Sequence, residues 1–456
     1  MAATSLHAKP LLLESLRKLL RRGASSRVVN LLSKLRPADV ASLFKDLTDS
    51  EKLEVFTILA QRDAPRAAQV LREFDVLPGL AYLEGVESTV QASVLGSMTP
   101  DDAAEFLSEM EEEQRQQLLE AMQGREALEI RHLLEYGKET AGRIMTPDYF
   151  AMEETATAED AIRALRSRAA EVEVPFYLYV VDSRNHLVGV LSLRQLVLSP
   201  AETPLRQLMT TDVVSVKTGM DQEEVARLVS RYELVAIPVV DDQHRLVGVV
   251  SIDDVIDVLK AEATEDFYRL AGTSEDERLY RSIFPAVRLR IPWLLASFTG
   301  GLLASQVINH YASVVAQLVV LAGFIPVILG MGGNIGTQCS AIIVRGLATG
   351  RIEVRELWHV IYREVRIALI LGIIYGSLLG LGGSILLKVP AMLALVLGLS
   401  LLASMLIAAI IGSAVPLLLK KIGIDPAVAT GPFITTSVDV LATLAFFHLT
   451  TLLVLT

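Results

Sequence analysis

Long apolar runs dominate the chain from about residue 286 onward. Five of them reach the ~20 residues that a membrane-crossing helix needs: approximately 286–308, 313–340, 366–387, 391–418 and 429–454. Upstream the pattern changes. Residues 141–262 alternate short β-branched runs with amphipathic stretches. They read twice over as a short strand, a helix, two strands joined by a turn, and a helix. The first helix of each copy is predicted over 159–168 and 222–232. Residues 1–140 carry Leu, Ala, Glu and Arg at helical spacing and predict a short helical solenoid. The apolar run near Met1 is too short for a signal peptide and reads as part of an amphipathic helix.

Two of the five spans carry features that a lipid-facing helix avoids. The second holds Pro326 and then Met331-Gly-Gly-Asn-Ile-Gly-Thr-Gln-Cys-Ser340. Three glycines and four polar side chains there predict an interruption, which a membrane tolerates only where protein buries it or it lines a water-filled path. The last span opens on Gly431-Pro432 and then places Thr435, Thr436, Ser437 and Asp439 together. An ionisable group in hydrocarbon costs roughly 2.5–3.5 kcal/mol on insertion scales, so it rarely sits there idle. No Lys or Arg lies near Asp439 in that run, and a cation in transit is the simplest partner. Thr435 and Asp439, spaced i, i+4, share a helix face. Such hard oxygen donors suit a hydrated magnesium ion. Close helix packing is the plainer reading of Gly332 and Gly333 taken alone.

Charge sharpens this division. The chain has 456 residues, 52% of them hydrophobic, with mean hydropathy +0.44. Residues 291–456 hold five acidic and eight basic side chains, leaving 48 acidic and 34 basic in residues 1–290. An acidic soluble half therefore joins a weakly basic membrane half. The acidic excess argues against nucleic acid, whose phosphates need basic surface, and suits divalent cations. A single cysteine, Cys339, excludes an internal disulfide framework. Arginines and lysines flank alternate loops: Arg288 and Arg290, then Arg345 to Arg366, then Lys420 and Lys421, against only Lys388 on the other side. By the positive-inside rule the N-terminal half is cytoplasmic and the C-terminus outside, which requires an odd number of spans.

The repeat is specific. Ile144-Met145-Thr146-Pro147-Asp148 is echoed by Leu208-Met209-Thr210-Thr211-Asp212. Val180-Val181-Asp182 and Leu187-Val-Gly-Val-Leu-Ser192 are echoed by Val239-Val240-Asp241 and Leu246-Val-Gly-Val-Val-Ser251. This pattern resembles a tandem pair of cystathionine-β-synthase (CBS) domains, a regulatory α/β module. The resemblance implies adenine-nucleotide binding, ATP among the candidates. Ser251 and Asp254 match the Ser/Thr-x-x-Asp that grips a ribose, whereas Ser192 to Gln195 lacks the acid.

Two further acidic groupings stand out. Thr99-Pro100-Asp101-Asp102-Ala-Ala-Glu105 reads as a helix start, with proline in the first turn and acids at the positive helix end. Residues 253–271 place Asp253, Asp254, Asp257, Glu262, Glu265 and Asp266 against one lysine and one arginine. Glu262 and Asp266 form an i, i+4 like-charge pair that destabilises a bare helix and that a divalent cation relieves.

The order of segments, with Gly332-Gly333-Asn334-x-Gly336-x-Gln338 and Gly423-x-Asp425-Pro426-Ala427 leading to Gly431-Pro432 and Asp439, resembles the MgtE family of magnesium transporters over essentially the whole chain. The resemblance implies a multi-domain membrane protein. Its parts are an α-helical superhelical N-domain (1–137), an α/β CBS pair (138–202 and 203–258), a connecting plug helix (259–283) and an all-α five-span transmembrane domain (284–456). It implies a homodimeric, magnesium-selective channel of the plasma membrane, closed when cytosolic magnesium is sufficient. Asp439 would be the pore acid, with Gly332, Asn334 and Thr435 beside the path. Asp425 would share magnesium with Glu262, Glu265 or Asp266. Asp101, Asp102 and Glu105 would face Asp254, Asp257 and Glu223 through further ions. The resemblance attaches no role to Thr337 or Cys339.

Three competing readings, an anion channel, a non-transporting sensor and an enzyme, are weaker. An anion channel would favour Arg or Lys in its pore. A non-transporting membrane sensor of magnesium or nucleotide needs no polar spans. Selectivity for manganese or cobalt is left open. No P-loop, Gly-x-Ser-x-Gly or His-Glu-x-x-His is present, so no enzyme is expected.

Overall fold

The computed structural model describes residues 3–122, 124–168, 176–273, 283–386, 388–429 and 431–455. It divides into two units, residues 1–259 and 260–456.

The first unit begins with a run of helices, from α1 (Ala3–Arg21) to α10 (Arg125–Glu135). Their starts are written in the sequence. Prolines occupy the first turns of the helices Pro37–Phe44, Ala64–Leu71 and Pro100–Ser108, where the missing N–H costs nothing. Thr48 and Glu51 form a reciprocal capping box on the helix Asp49–Arg62. The apolar stripes meet in a core containing Val55, Phe56 and Leu59. Phe44, Phe74 and Tyr82 pack there with ring centroids 5.2–5.5 Å apart.

Two copies of one α/β motif follow. In the first, β1 (Ala151–Glu153) pairs parallel with β2 (Tyr177–Val181), and β2 antiparallel with β3 (Leu187–Ser192). In the second, β4 (Val216–Lys217), β5 (Ala236–Val240) and β6 (Leu246–Ser251) repeat the arrangement, down to the register shift at Val180/Val181 and Val239/Val240. The helices are α11 (Ala141–Ile144), α12 (Ala158–Arg168), α13 (Leu193–Leu198), α14 (Leu205–Leu208) and α15 (Gln222–Tyr232).

The repeated Met-Thr pairs have a structural cause. Each lies against the glycine of a Val-Gly-Val strand. A Cβ on Gly189 would stand 2.7 Å from Met209 Cγ, and one on Gly248 2.7 Å from Met145 Cγ. Thr146 bridges Val249 of the other copy's strand, and Thr210 bridges Val190. The segment leading into the first copy thus completes the second, which makes the pair one folded module. The two turns meet as well: Asn185 Nδ2 donates to the Leu246 carbonyl at 2.9 Å.

The connecting segment expected over 259–283 is not a separate helix in its described part. A single helix, α16 (Ile252–Leu270), starts directly after β6. Residues 274–282 lie outside the described residues.

In the second unit, five helices among the described residues are long and apolar enough to cross a membrane: Ala286–His310, Val319–Ala348, Leu357–Ile385, Ala391–Lys421 and Pro432–Val454. They are built on α17 (Ile283–His310), α19 (Ile325–Ala348), α20 (Leu357–Leu386), α21 (Ala391–Lys421) and α22 (Pro432–Thr450), with a short α18 (Ala312–Gln317) after the first. The interruption expected at Met331–Ser340 does not occur: α19 runs through it unbroken, and the irregular backbone is a 3-10 stretch upstream, Val319–Phe324. Gly332 and Gly336 serve helix packing instead, against Ser404, Val438 and Ile434, and α-helical hydrogen bonds satisfy the backbone there. Small residues likewise bring α20 and α21 together, where a Cβ on Gly376 would stand 2.6 Å from the Gly398 carbonyl oxygen.

Candidate ion path and acidic clusters

Asp439 stands one residue beyond the crossing of α19 and α22. Val438 is fully buried at that crossing, over Gly332 and Gly336 of α19. A Cβ on Gly332 would meet Val438 Cγ1 at 3.1 Å and press on Ser404 of α21. Gly332 is therefore a packing residue within the chain. Its neighbours differ. Asn334, Thr337 and Gln338 are exposed, so α19 presents a polar face that the other described residues leave open. Thr435 donates to the carbonyls of Gly431 at 3.3 Å and Pro432 at 3.2 Å, which leaves its oxygen lone pairs free to accept. Thr443 donates to the Asp439 backbone carbonyl at 2.6 Å, and Asp439 itself is partly exposed.

A second grouping lies at the start of α22. Arg269, in the last turn of α16, donates to both Glu265 and Asp425. Asp425 also caps the following turn, accepting from the Ala427 N–H at 2.9 Å. Two acids expected to share a magnesium ion are here joined by a guanidinium. Arg269 was not singled out in the sequence, although an arginine four residues after a glutamate is a familiar pair.

The third grouping lies within the first unit. Asp102, Glu105, Asp254 and Asp257 lie within one another's fields. Asp101 is buried beside them on the same helix start. Asp102 accepts from Thr99 at 2.7 Å and pairs with Arg72 at 2.8 Å. Even so, burial and then Asp257 push its carboxyl above the ordinary range, burial being the larger effect. Burial and then Asp102 push Asp254 up likewise. Glu105 keeps a solvent-accessible face. Protein crowding around its carboxyl, followed by Asp102, Asp257, Asp254 and Glu109, nonetheless raises it to about 7. Burial and like charges both disfavour the ionised form. A divalent cation would reverse that penalty, so the donor chemistry fits magnesium. Among the described residues no three acidic, histidine or cysteine side chains are drawn together tightly enough to form a ready-made ion cage. Glu223 pairs instead with Arg227 at 2.8 Å on its own helix.

Ser251 and Asp254 engage each other. The hydroxyl donates to the carboxylate at 2.5 Å and accepts the Asp254 N–H at 3.2 Å. Ser192 and Gln195 do the same in the first copy. Both motifs are capping boxes at the helix that follows the last strand, a role that the ribose reading of the sequence passed over.

Five apolar helices with an acid in the last of them, joined to a CBS pair, are the architecture of a divalent-cation transporter. The divalent cation transporter family matches residues 325–449, the MgtE intracellular N domain residues 35–139, and the CBS domain residues 141–202 and 205–261. The chain is 35% identical over 434 residues to the magnesium transporter MgtE of Bacillus subtilis, covering 95% of each. It is 34% identical over 444 residues to that of Thermus thermophilus, covering 96% of this chain and 98% of the relative. The crystal structure of the cytosolic domain of the Mg2+ channel MgtE in complex with ATP is similar with TM-score 0.51 and 34% identity, over 54% of this chain and 99% of that one. The soluble part of a magnesium transporter is similar with TM-score 0.51 and 30% identity, over 56% and 99%. The chain belongs to the MgtE family of magnesium transporters, multi-pass membrane proteins that are not enzymes.

Proposed function

We propose that the chain conducts magnesium into the cell as a homodimer of the plasma membrane, with its N-terminal unit cytoplasmic and its C-terminus outside, and that cytosolic magnesium closes it. The observation that carries this reading is the grouping of Asp102, Glu105, Asp254 and Asp257 within one another's fields, where like charges and the protein packed around them disfavour the ionised forms. Four acids so placed favour separation when bare and approach when a cation is bound. A ligand that prefers one arrangement shifts the population toward it, and several weak sites acting together steepen the response. Asp101 supports this group from its own helix.

Asp439, one from each subunit, holds the passing ion, with Thr435 and the exposed face of Asn334 lining the approach. Glu262, Glu265, Asp266 and Asp425 form a second regulatory group, in which Arg269 stands where a cation is wanted. The Ser251–Asp254 cap is the proposed nucleotide contact, with ATP as modulator.

The test is magnesium flux into liposomes holding the purified protein, with interior and exterior magnesium varied separately. Asp439→Asn is expected to abolish flux. Neutralising Asp102 and Asp257 together is expected to leave flux intact but raise the magnesium needed for closure. Unchanged closure in that double variant would overturn the gating reading while leaving transport untouched.

A further inference from the structure

Glu364, on α20, is a buried carboxyl within a helix long and apolar enough to cross a membrane, and the pore reading does not use it. It is 4% exposed. Its carboxylate lies 3.5 Å from the Cys339 thiol of α19, itself 5% exposed. Among the described residues the thiol is its hydrogen-bonding partner, and the flanking Arg363 and Arg366 are exposed. A thiol is a weak donor, so it satisfies little of a buried carboxyl's demand. Ser413 of α21 stands beside the same thiol. It is fully buried, and its Oγ has no hydrogen-bond partner among the described residues. Three helices thus contribute a sulfur, a carboxylate and an unsatisfied hydroxyl to one enclosed place.

We propose that Cys339, Glu364 and Ser413 form a buried binding site for a borderline or soft divalent cation of the zinc and cadmium class. The spacing favours it. Bonds of about 2.3 Å to sulfur and about 2.0 Å to oxygen at a tetrahedral centre set the two ligand atoms about 3.5 Å apart. Thiolate selects such ions over magnesium, which prefers oxygen. Charge favours it also: a thiolate and a carboxylate together neutralise one divalent ion, the thiol releasing its proton to water as the metal binds. The Ser413 hydroxyl supplies a further oxygen donor. Occupancy ties α19 to α20 and α21, and the site therefore inhibits transport by restraining helices that pack on the ion path.

Cadmium is the probe, added to the full-length protein in nanodiscs with magnesium in excess to occupy oxygen sites. Cys339 is the single cysteine of the chain, so any sulfur-to-cadmium charge-transfer absorbance reports this position alone. The expected result is one cadmium per chain with that absorbance, together with inhibition of magnesium flux. Cys339→Ser abolishes the absorbance and relieves the inhibition. Glu364→Gln, which keeps the thiol, weakens cadmium binding by at least the about tenfold that even an outer-shell partner is worth. Absence of the absorbance in the wild type overturns the site. Undiminished binding in Glu364→Gln overturns the pairing by showing a thiol acting alone. Should Cys339→Ser fail to fold, the wild-type spectrum and the Glu364→Gln titration still decide.

Discussion

Arg269 holds Asp425 and Glu265 together, so one guanidinium occupies the place between two acids where a regulatory magnesium ion is otherwise expected. A tethered cation cannot be diluted away. It biases the end of α16 toward the turn before α22 even when magnesium is scarce. Arg269→Gln removes the guanidinium between the two acids and strengthens the advantage that a free cation gains there. Two outcomes are expected in the liposome assay: higher flux at low cytosolic magnesium, and a steeper magnesium dependence of closure. Arg269→Lys keeps the charge but loses the fork that reaches two carboxylates at once, and should fall between. A flux curve for Arg269→Gln that overlays the wild type would show that the ion pair is incidental.

Gly332 and Gly333 are adjacent and differ in what surrounds them. A Cβ on Gly332 strikes Ser404 and crowds Val438, while one on Gly333 meets nothing within 4 Å. Gly332→Ala should cost about 1–3 kcal/mol, the usual penalty of overpacking, and lower flux by shifting α22 and its Asp439. Gly333→Ala should stay within about 0.5 kcal/mol of wild type. Thermal unfolding in detergent compares them, and equal loss in both would remove the packing account.

The five spans and the tandem repeat were legible because each rests on local pattern: apolar length in one case, strand alternation with repeated turn residues in the other. The Met-Thr echo was legible as a repeat but not as a reason, because its cause is a glycine distant in sequence (Gly189 for Met209 across two short helices, and Gly248 for Met145 across the whole module). The break expected at Met331–Ser340 failed for a related reason. Glycines weaken an isolated helix, but here α21 and α22 fill the space beside them and tertiary packing overrides propensity. Asp439, Asp102 and Asp254 could be singled out because an acid in hydrocarbon or in a like-charged run is visible locally. Arg72, Arg269 and Glu364 could not, since each has ordinary neighbours in sequence and gains its meaning from a partner on another element.

Glu105 gives the acidic cluster a pH signature. Its carboxyl is raised to about 7 from an ordinary value of 4.5, first by the protein crowded around it and then by Asp102, Asp257, Asp254 and Glu109. The cations facing this group are Arg72, which pairs with Asp102, and Arg143. The folded state therefore binds the proton more tightly than the unfolded state. Without magnesium, stability should fall as pH rises through about 4.5 to 7, because there the folded form holds more protons. Magnesium needs the ionised form, so its binding should weaken as pH falls below about 7. Glu105→Gln should flatten both trends. Calorimetric magnesium titrations and thermal melts of the full chain, run across that range, check the two signs separately.

Ser251 and Ser192 cap equivalent helices, but only Ser251 is followed three residues later by an acid. Removing either hydroxyl exposes a helix N–H, so Ser192→Ala and Ser251→Ala should each cost about 1 kcal/mol. That loss is a property of the fold and needs no ligand. If the second copy also grips a ribose, Asp254 has to turn from its capping partner toward the nucleotide, and the two variants then part company. The rise in melting temperature on adding ATP should survive in Ser192→Ala and vanish in Ser251→Ala. An ATP-induced rise that survives in both variants would leave Ser251 as a cap alone and place any nucleotide contact elsewhere in the module. The comparison is clean because both substitutions delete the same atom at the same position of the same local motif, so the common cost cancels and the difference reports the ligand.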